Sequence, residues 1–263
     1  MQDNKKFKLV SSKKTRYLLP NILTLAGVCL GISSIKFAFD GNFSLAVIFI
    51  LFAAILDALD GRVARLIKGT SEFGKELDSL TDFVSFGIAP AFILFFWELN
   101  NYGKLGWAIT LIYSVCCVLR LARFNLTKIS DNQIWKNNYF EGVPSPAGGL
   151  LILMPLIFEL ANFELNYNFK NLTPYLTVIV AVLLVSKVPT LSLKKISISP
   201  KTTVFILLGI GTIFISLLFY TFKTLIIFGL VYLLSIPISF LMFKHQCKKE
   251  NTETSDDDHE DVL

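Results

Sequence analysis

Long apolar segments separated by short polar ones recur along almost the whole chain. Each apolar segment approaches the roughly 20 residues that an α-helix needs to cross about 30 Å of hydrocarbon. Of the 263 residues, 53% are hydrophobic and only 17% are charged, a balance that soluble globular proteins rarely show. We therefore predict an all-α fold, a polytopic transmembrane helical bundle. Its eight spans are predicted at residues 18–39, 43–61, 80–97, 105–122, 145–163, 173–189, 203–219 and 224–243.

Basic residues fall mostly on one side of the predicted membrane. Of the 25 Lys and Arg residues, all but Lys36, Lys104, Lys170 and Lys223 lie on the same side as the N-terminus. Because cytosolic loops carry an excess of Lys and Arg, both termini are predicted to be cytosolic. The charges are spread along one membrane face, which favours anionic lipid headgroups as partners and argues against a nucleic-acid groove.

Polar segments flank the transmembrane region at both ends. Residues 1–16 form a basic cytosolic segment, and no small-residue cleavage pattern follows the first apolar run, so we expect that span to be retained. Residues 17–245 are the predicted transmembrane catalytic domain. Residues 246–263 are acidic, contain few apolar side chains and are expected to be a disordered cytosolic tail. The four cysteines lack metal-ligand spacing and are interpreted as packing residues.

Two pairs of aspartates lie between the second and third predicted spans. Asp57 and Asp60 are three residues apart, and Asp78 and Asp82 are four apart, so each pair occupies one face of its helix. If the two helices form an antiparallel hairpin through residues 68–71, the four carboxylates converge. Clustered carboxylates need cations to offset their mutual repulsion, and oxygen ligands select hard ions such as Mg²⁺ or Mn²⁺. The sequence therefore predicts a site for two divalent ions.

Small residues and one arginine accompany the aspartates. Gly61 and Ala64 lie on the helix of the first pair, and Gly74 lies one turn before Asp78. They leave helix surface bare where a planar group can approach the backbone, while the forked guanidinium of Arg65 suits a phosphate oxygen. We interpret these positions as the binding site of a nucleotide diphosphate. In the alternative, the charges form surface ion pairs and the small residues only let helices pack closely.

The complete pattern D-x2-D-G-x2-A-R-x8-G-x3-D-x3-D, from Asp57 to Asp82, resembles the signature of the CDP-alcohol phosphatidyltransferase family. The resemblance implies a six-helix transmembrane core, to which about two C-terminal helices are added here. It implies that Asp57, Asp60 and Asp78 bind the metal pair, and that Asp82 completes the second metal site and acts as general base. Positions expected to contact the CDP-linked lipid within this signature are Gly61, Ala64, Arg65, Ser71 and Gly74.

The chemistry that this resemblance implies is the transfer of a phosphatidyl group from CDP-diacylglycerol to a small alcohol, with release of CMP. The metals would neutralise the diphosphate, and Asp82 would accept the proton of the attacking hydroxyl. Direct transfer is favoured over a covalent intermediate. The resemblance also implies a homodimer in a prokaryotic cell (inner) membrane, and the distribution of basic residues predicts that the active site lies on its cytosolic face.

Two further segments concern the substrates. Asn21 and Thr24 lie where the first span is expected to begin, and they either contact the CDP-linked lipid or satisfy backbone groups at a helix start. Arg120, Arg123 and Asn125 lie at the cytosolic end of the fourth span, and on composition alone they are positive-inside anchors. Both segments are similar to motifs of the phosphatidylserine synthase branch of the family. That similarity favours L-serine as the acceptor, with its carboxylate bound by an arginine.

Two alternatives to serine transfer remain open. The first is the same chemistry with another acceptor, such as glycerol 3-phosphate or an inositol phosphate. The second is a cation transporter whose acidic cluster binds ions in transit. A transporter places its acids near the bilayer midplane in broken helices. The acids predicted here lie near the cytosolic edge, beside Arg65 and glycines that a bare ion path does not need.

Overall fold

The computed structural model describes residues 13–67, 71–127, 139–162, 169–186, 188–191 and 200–260, and nearly all of them are helical. The main elements are α1 (Lys13–Phe39), α2 (Phe43–Leu66), α3 (Glu72–Asp82), α4 (Ala89–Trp97), α5 (Lys104–Thr127), β1 (Tyr139–Glu141), α6 (Ser145–Leu160), α7 (Thr173–Val185), β2 (Pro189–Leu191), α8 (Pro200–Phe219) and α9 (Thr221–Glu260). A π-helical turn, Phe83–Ile88, joins α3 to α4, and 3-10 turns cover Leu99–Tyr102 and Phe169–Leu172.

Eight apolar helical segments coincide with the eight predicted spans. Five are long and apolar enough to cross a membrane, namely Leu18–Phe39, Phe43–Leu66, Glu72–Trp97, Lys104–Leu126 and Thr221–Met242. Three are shorter within the described residues, namely Ser145–Leu160, Phe169–Val185 and Leu208–Phe219. The predicted all-α, polytopic membrane bundle is therefore confirmed, and the chain is an integral membrane protein. One small addition is the antiparallel pairing of β1 with β2.

The last helix extends beyond its apolar part. α9 continues to Glu260 and so includes residues 246–260, for which we expected disorder. Helix formation is cooperative, so extending a helix that apolar residues have already formed costs much less than starting a new one, even where Lys and Glu alternate with weaker helix formers such as Asp and Thr. The backbone there is helical for this reason. Residues 1–12, most of the expected basic segment, lie outside the described residues.

The chain divides into two compact units, Met1–Leu121 and Ala122–Leu263, with the boundary inside α5. In the first unit, α1 packs along α2 and also contacts α3 and α4. The turn between α1 and α2 is short because Gly41 adopts a φ of 77° and the side chain of Asn42 caps α2 by accepting a hydrogen bond from the Leu45 amide. So short a connection makes the two helices antiparallel neighbours.

Two glycines one turn apart bring α1 close to the segment that follows the second aspartate pair. A Cβ at Gly27 would lie 3.2 Å from Thr81 Cγ2, and a Cβ at Gly31 would lie 2.8 Å from Ser85 Oγ. The Ser85 hydroxyl also donates a hydrogen bond to the Gly27 carbonyl at 3.2 Å. Small residues four apart allow such close approach between membrane helices. This pair of glycines holds α1 directly against the chain on either side of Asp82.

The second unit is built on an aliphatic core. Its helix α6 contacts both α7 and α9, and Gly229 of α9 leaves room for the side chain of Met154, which a Cβ would overlap. Apolar packing of this kind needs no polar partner. The largest fully buried side chains of α6 are Leu151, Ile152, Leu153, Leu156 and Ile157.

Candidate active site at the acidic helix hairpin

The hairpin formed by α2 and α3 carries the predicted acidic residues at its polar end. α2 ends at Leu66, and α3 begins at Glu72. Ser71 caps α3, since its hydroxyl accepts a hydrogen bond from the Gly74 amide at 3.0 Å. Serine is a preferred N-cap residue, and the acidic Glu72 in the first turn complements the helix dipole. The charged stretch is therefore helical on both sides of the connection, as predicted.

Three of the four aspartates form a compact cluster. Asp57, Asp60 and Asp78 each offer one carboxylate oxygen, and these oxygens all lie within 4.8 Å of one another. Asp60 is buried, Asp57 is half-buried and Asp78 is exposed, so the cluster opens to one side. Oxygen ligands at this separation suit a hard divalent cation that also retains water or substrate oxygens. The residues present therefore fit the predicted kind of metal site.

The fourth aspartate lies beside this cluster. Asp82 makes a side-chain hydrogen bond with Asp57 and also feels the charge of Asp78. A carboxyl pair at hydrogen-bonding distance is held together by a shared proton or by a cation. The Oδ1 atom of Asp82 is buried and has no hydrogen-bond partner among the described residues. Such an oxygen suits either a cation ligand or a proton acceptor.

The guanidinium of Arg120, on α5, acts electrostatically on this acidic group. It attracts the carboxylates of both Asp57 and Asp82. The tentative acceptor residue Arg120 therefore lies within electrostatic reach of the predicted general base. An arginine there offsets part of the repulsion among the acids, and its planar guanidinium has the geometry that binds carboxylates and phosphates.

Thr24 connects α1 to the acidic cluster. Its hydroxyl lies 2.7 Å from Asp60 Oδ2 and 3.0 Å from the carbonyl oxygen of Pro20. Because α1 begins at Lys13, both Asn21 and Thr24 lie inside the helix rather than at its start. The alternative that these two side chains satisfy a helix N-terminus is therefore wrong. What the sequence did not reveal is that Thr24 bonds a predicted metal ligand.

An open pocket lies between the N-terminal part of α1 and the hairpin. It includes six of the seven predicted CDP-lipid residues, together with Asp60, Asp78, Pro20 and Lys75. Arg65 does not line it: the exposed guanidinium bends back, and its Nε donates to the carbonyl of Gly61 at 3.0 Å. The six predicted residues in the wall are Asn21, Thr24, Gly61, Ala64, Ser71 and Gly74.

Sequence reasoning missed Pro20 and Lys75 as pocket residues. The spacing of Lys75 could have revealed it, because a residue three positions before Asp78 shares its helix face. Pro20 carried no such signal, since proline at a predicted helix start has a structural explanation of its own.

The two glycines of the pocket differ in what surrounds them. A Cβ at Gly61 would meet nothing within 4 Å, so the surface there is open to a ligand. A Cβ at Gly74 would lie 3.1 Å from Ser71 Oγ and 3.2 Å from Asn21 Oδ1. Gly74 thus permits close packing of the α3 cap against α1, whereas Gly61 leaves helix backbone exposed.

The remaining tentative acceptor residues belong to the second unit. Arg123 is half-buried, and its Nη1 donates to the carbonyl of Val185 at 2.7 Å, at the C-terminal end of α7. A cation at that position satisfies an orphan carbonyl and complements the helix dipole. Nearby, Gly142 adopts a φ of 76°, and a Cβ on it would lie 2.9 Å from the Ser186 carbonyl oxygen. Asn125 is half-buried on α5.

Comparison with known proteins gives a consistent result. Residues 17–184 match the family model described as CDP-alcohol phosphatidyltransferase. The chain is 35% identical over 200 residues to the CDP-diacylglycerol–serine O-phosphatidyltransferase of Helicobacter pylori, which covers 76% of this chain and 82% of that protein. Proteins with the same name from Mycobacterium tuberculosis (36% over 184 residues, 70% and 64% covered) and Bacillus subtilis (30% over 155 residues, 57% and 84% covered) are also similar.

Proposed function

The chain belongs to the CDP-alcohol phosphatidyltransferase family, and from this premise we propose that it transfers the phosphatidyl group of CDP-diacylglycerol to L-serine, giving phosphatidylserine and CMP. Similarity to relatives named for that reaction supports the choice of serine. The observation that carries the proposal is the carboxylate cluster, because Asp60 and Asp78 belong both to the cluster and to the wall of the pocket. A substrate diphosphate in this pocket would lie against the acids.

We propose that Asp57, Asp60, Asp78 and Asp82 hold two divalent ions, Mg²⁺ or Mn²⁺. Three carboxylate oxygens within 4.8 Å and the unpartnered Oδ1 of Asp82 support this assignment. Such ions, when bound, neutralise the diphosphate and stabilise negative charge on the departing CMP. Thr24 contributes by fixing the orientation of the Asp60 carboxylate through their hydrogen bond. Partners that orient a ligating carboxylate typically matter for affinity and for activity.

Asp82 is the proposed general base. Its buried Oδ1 has no donor among the described residues, so this lone pair remains available for the proton of the acceptor hydroxyl. The hydroxyl attacks the lipid-side phosphorus, its proton passes to Asp82, and the bond to the CMP oxygen breaks. A carboxylate is a weak base for an alcohol, so its effect depends on close positioning. The contacts on either side of Asp82 supply that positioning.

The CDP-linked lipid is proposed to bind along the pocket wall. Gly61 exposes backbone to a planar group, and Lys75 adds a positive charge that suits a phosphate oxygen. Arg65 reaches a ligand only after its guanidinium leaves the Gly61 carbonyl. Because the guanidinium is exposed, that rotation costs little. The other proposed contacts are Asn21, Thr24, Ala64, Ser71 and Gly74.

Acceptor binding is proposed to depend most on Arg120. This guanidinium is near the general base, and the carboxylate of serine is a natural partner for it. Arg123 already donates to a backbone carbonyl and is better suited to support the end of α7. Asn125 remains a proposed contact on the strength of the motif alone.

The membrane setting is proposed from the charge distribution. The excess of Lys and Arg on the side of the N-terminus supports a cytosolic location for the acidic hairpin. Similar proteins from bacteria support a prokaryotic inner membrane as the location. The homodimer and the division into residues 1–16, 17–245 and 246–263 remain proposals.

One assay tests the reaction and its acceptor together. Purified protein in detergent is mixed with CDP-diacylglycerol and Mn²⁺ or Mg²⁺, and CMP release is measured with serine, glycerol 3-phosphate or an inositol phosphate. Among the acceptors, we expect only serine to support CMP release. Exhaustive chelation should abolish this release, and adding back either Mn²⁺ or Mg²⁺ should restore it. Release only with another alcohol would change the acceptor, and activity that survives chelation would refute the metal site. No release with any acceptor would favour a cation transporter.

A further inference from the structure

The chain changes helical register immediately after Asp82. Phe83–Ile88 is π-helical, and the Ala89 amide donates to the Val84 carbonyl five residues earlier. A π turn carries one more residue than the corresponding α turn. Each residue of an α-helix turns the chain by about 100°. The extra residue therefore rotates α3 by about 100° about its axis, compared with a continuous α-helix through α3 and α4. Because packing fixes the position of α4, the π turn determines the direction in which Asp78 and Asp82 of α3 point.

Pro90 explains why the segment departs from α-helical geometry. Proline has no amide hydrogen, so it cannot donate to the carbonyl of Phe86 four residues earlier, and its ring crowds that carbonyl. The hydroxyl of Tyr113 donates to the Phe86 carbonyl instead, at 2.9 Å. Tyr113 is fully buried in α5. A second hydroxyl of α5, that of Ser114, lies 3.4 Å from the Gly87 carbonyl.

Helices on two sides hold the turn. On one side, Ser85 bonds to the Gly27 carbonyl of α1, where Gly31 allows the close approach. On the other side, a Cβ at Gly87 would lie 3.0 Å from Cys117 Sγ of α5. A displaced turn would lose these hydrogen bonds and create clashes at both contacts. The π-helical register is therefore a packed and hydrogen-bonded state of this segment.

We infer that Tyr113 is a positioning residue for the acidic cluster. By supplying the hydrogen bond that Pro90 cannot give to Phe86, it stabilises the π turn and so keeps Asp78 and Asp82 directed toward Asp57. Seven residues later on the same face of α5, Arg120 acts on the acids directly. One helix face thus sets both the direction and the electrostatic environment of the carboxylates. This inference rests on the proposed function for its catalytic consequence but not for its structural one.

The first test is Tyr113→Phe, which removes only the hydroxyl. We expect kcat to fall about five- to ten-fold, which is the range that the loss of one buried hydrogen bond supports, while KM for CDP-diacylglycerol stays within about two-fold. The dissociation constant for Mn²⁺, measured by electron paramagnetic resonance of the free ion without substrates, should rise by a similar factor. Tyr175→Phe is the matched control, because Tyr175 is 69% exposed on α7, and it should change neither quantity.

The second test is Pro90→Ala, which restores the missing amide and favours a regular α-helix. We expect lower kcat and weaker Mn²⁺ binding in this variant, measured well below its unfolding midpoint. In the double variant, Tyr113→Phe should have little further effect, because the Phe86 carbonyl then has a backbone partner. A Tyr113→Phe protein with wild-type kcat and Mn²⁺ affinity, or fully additive effects in the double variant, would overturn the inference. Wild-type protein that binds Mn²⁺ but releases no CMP would refute the proposed function alone.

Discussion

Two buried hydroxyl groups of the first unit bond a separate element, although others there, such as Thr81 and Thr110, donate to carbonyls of their own helices. In the first unit, Thr24 of α1 donates to Asp60 of α2, and Ser85 donates to a carbonyl of α1, so each bond joins two separate elements. In the second unit, Thr177 and Ser239 donate to carbonyls four residues earlier on their own helices. Bonds of the second kind satisfy a hydroxyl without fixing how one helix lies against another.

The buried surfaces differ in the same way. The first unit buries Asp60, Thr81 and Ser85 where α1, α2 and α3 meet, whereas α6 in the second unit buries a run of aliphatic side chains. A cross-helix hydroxyl pair in the second unit, Ser216 with Thr224, lies on either side of the short connection between α8 and α9. Apolar packing is enough to hold helices together, but polar contacts between helices define one rotation of each. The difference teaches that polar contacts between helices fix the rotation of the helices that bear the acids.

The largest test of this comparison concerns the acids of the first unit. Asp82→Asn should lower kcat by about 10²- to 10⁴-fold, the usual contribution of a positioned general base, and should leave binding of CDP-diacylglycerol intact. Asp40→Asn is the matched control, since Asp40 is exposed and, among the described residues, its carboxylate pairs with Lys36 one turn earlier. Turnover is measured by CMP release, and lipid binding by titration with labelled CDP-diacylglycerol. Wild-type turnover in Asp82→Asn would exclude that residue as the base.

Paired threonine substitutions compare the two units directly. Thr24→Val should lower activity or Mn²⁺ affinity by about 10- to 100-fold, as expected when the partner of a metal ligand is removed, and Thr24→Ser should restore most of it. Thr177→Val deletes a buried hydroxyl that bonds only its own helix among the described contacts, and it should keep activity within about two-fold. Both variants lose a bond to a carbonyl four residues earlier, so equal effects of the two would contradict the comparison.

A smaller effect is expected from the exposed lysine of the pocket. Lys75→Ala should raise KM for CDP-diacylglycerol about three- to ten-fold without changing kcat, because an exposed charge contributes little and is screened. Arg62→Ala removes an exposed positive charge from α2 that does not line the pocket. KM for CDP-diacylglycerol is measured for both variants at low and at high salt. The difference in KM between Lys75→Ala and the wild-type protein should shrink at high salt. An equal rise in Arg62→Ala would show a general charge effect on the anionic lipid.

Most of the fold could be predicted because its signal is local. The apolar segments marked the eight apolar helical segments, and the three- and four-residue spacings put each aspartate pair on one helix face. The structure brings Asp57, Asp60 and Asp78 together accordingly, while their roles stay predictions. Helix bounds were less accurate: α1 starts at Lys13 and not at residue 18, and α9 continues past the apolar segment. The free energy of adding one more residue to the end of a helix is small, so the residue pattern does not define where a helix ends.

The chain's sequence by itself determined the class of fold and the placing of each aspartate pair on one helix face, because the length of apolar segments and short spacings do not depend on tertiary packing. The kind of chemistry came from the resemblance of the aspartate motif to a known family. Only the tertiary structure decided that Thr24 bonds Asp60, that Arg65 bends back to Gly61, and that Arg123 supports α7. It also decided the π turn after Asp82. These contacts join residues far apart in the chain, and their partners depend on how helices rotate against each other, which no single helix specifies.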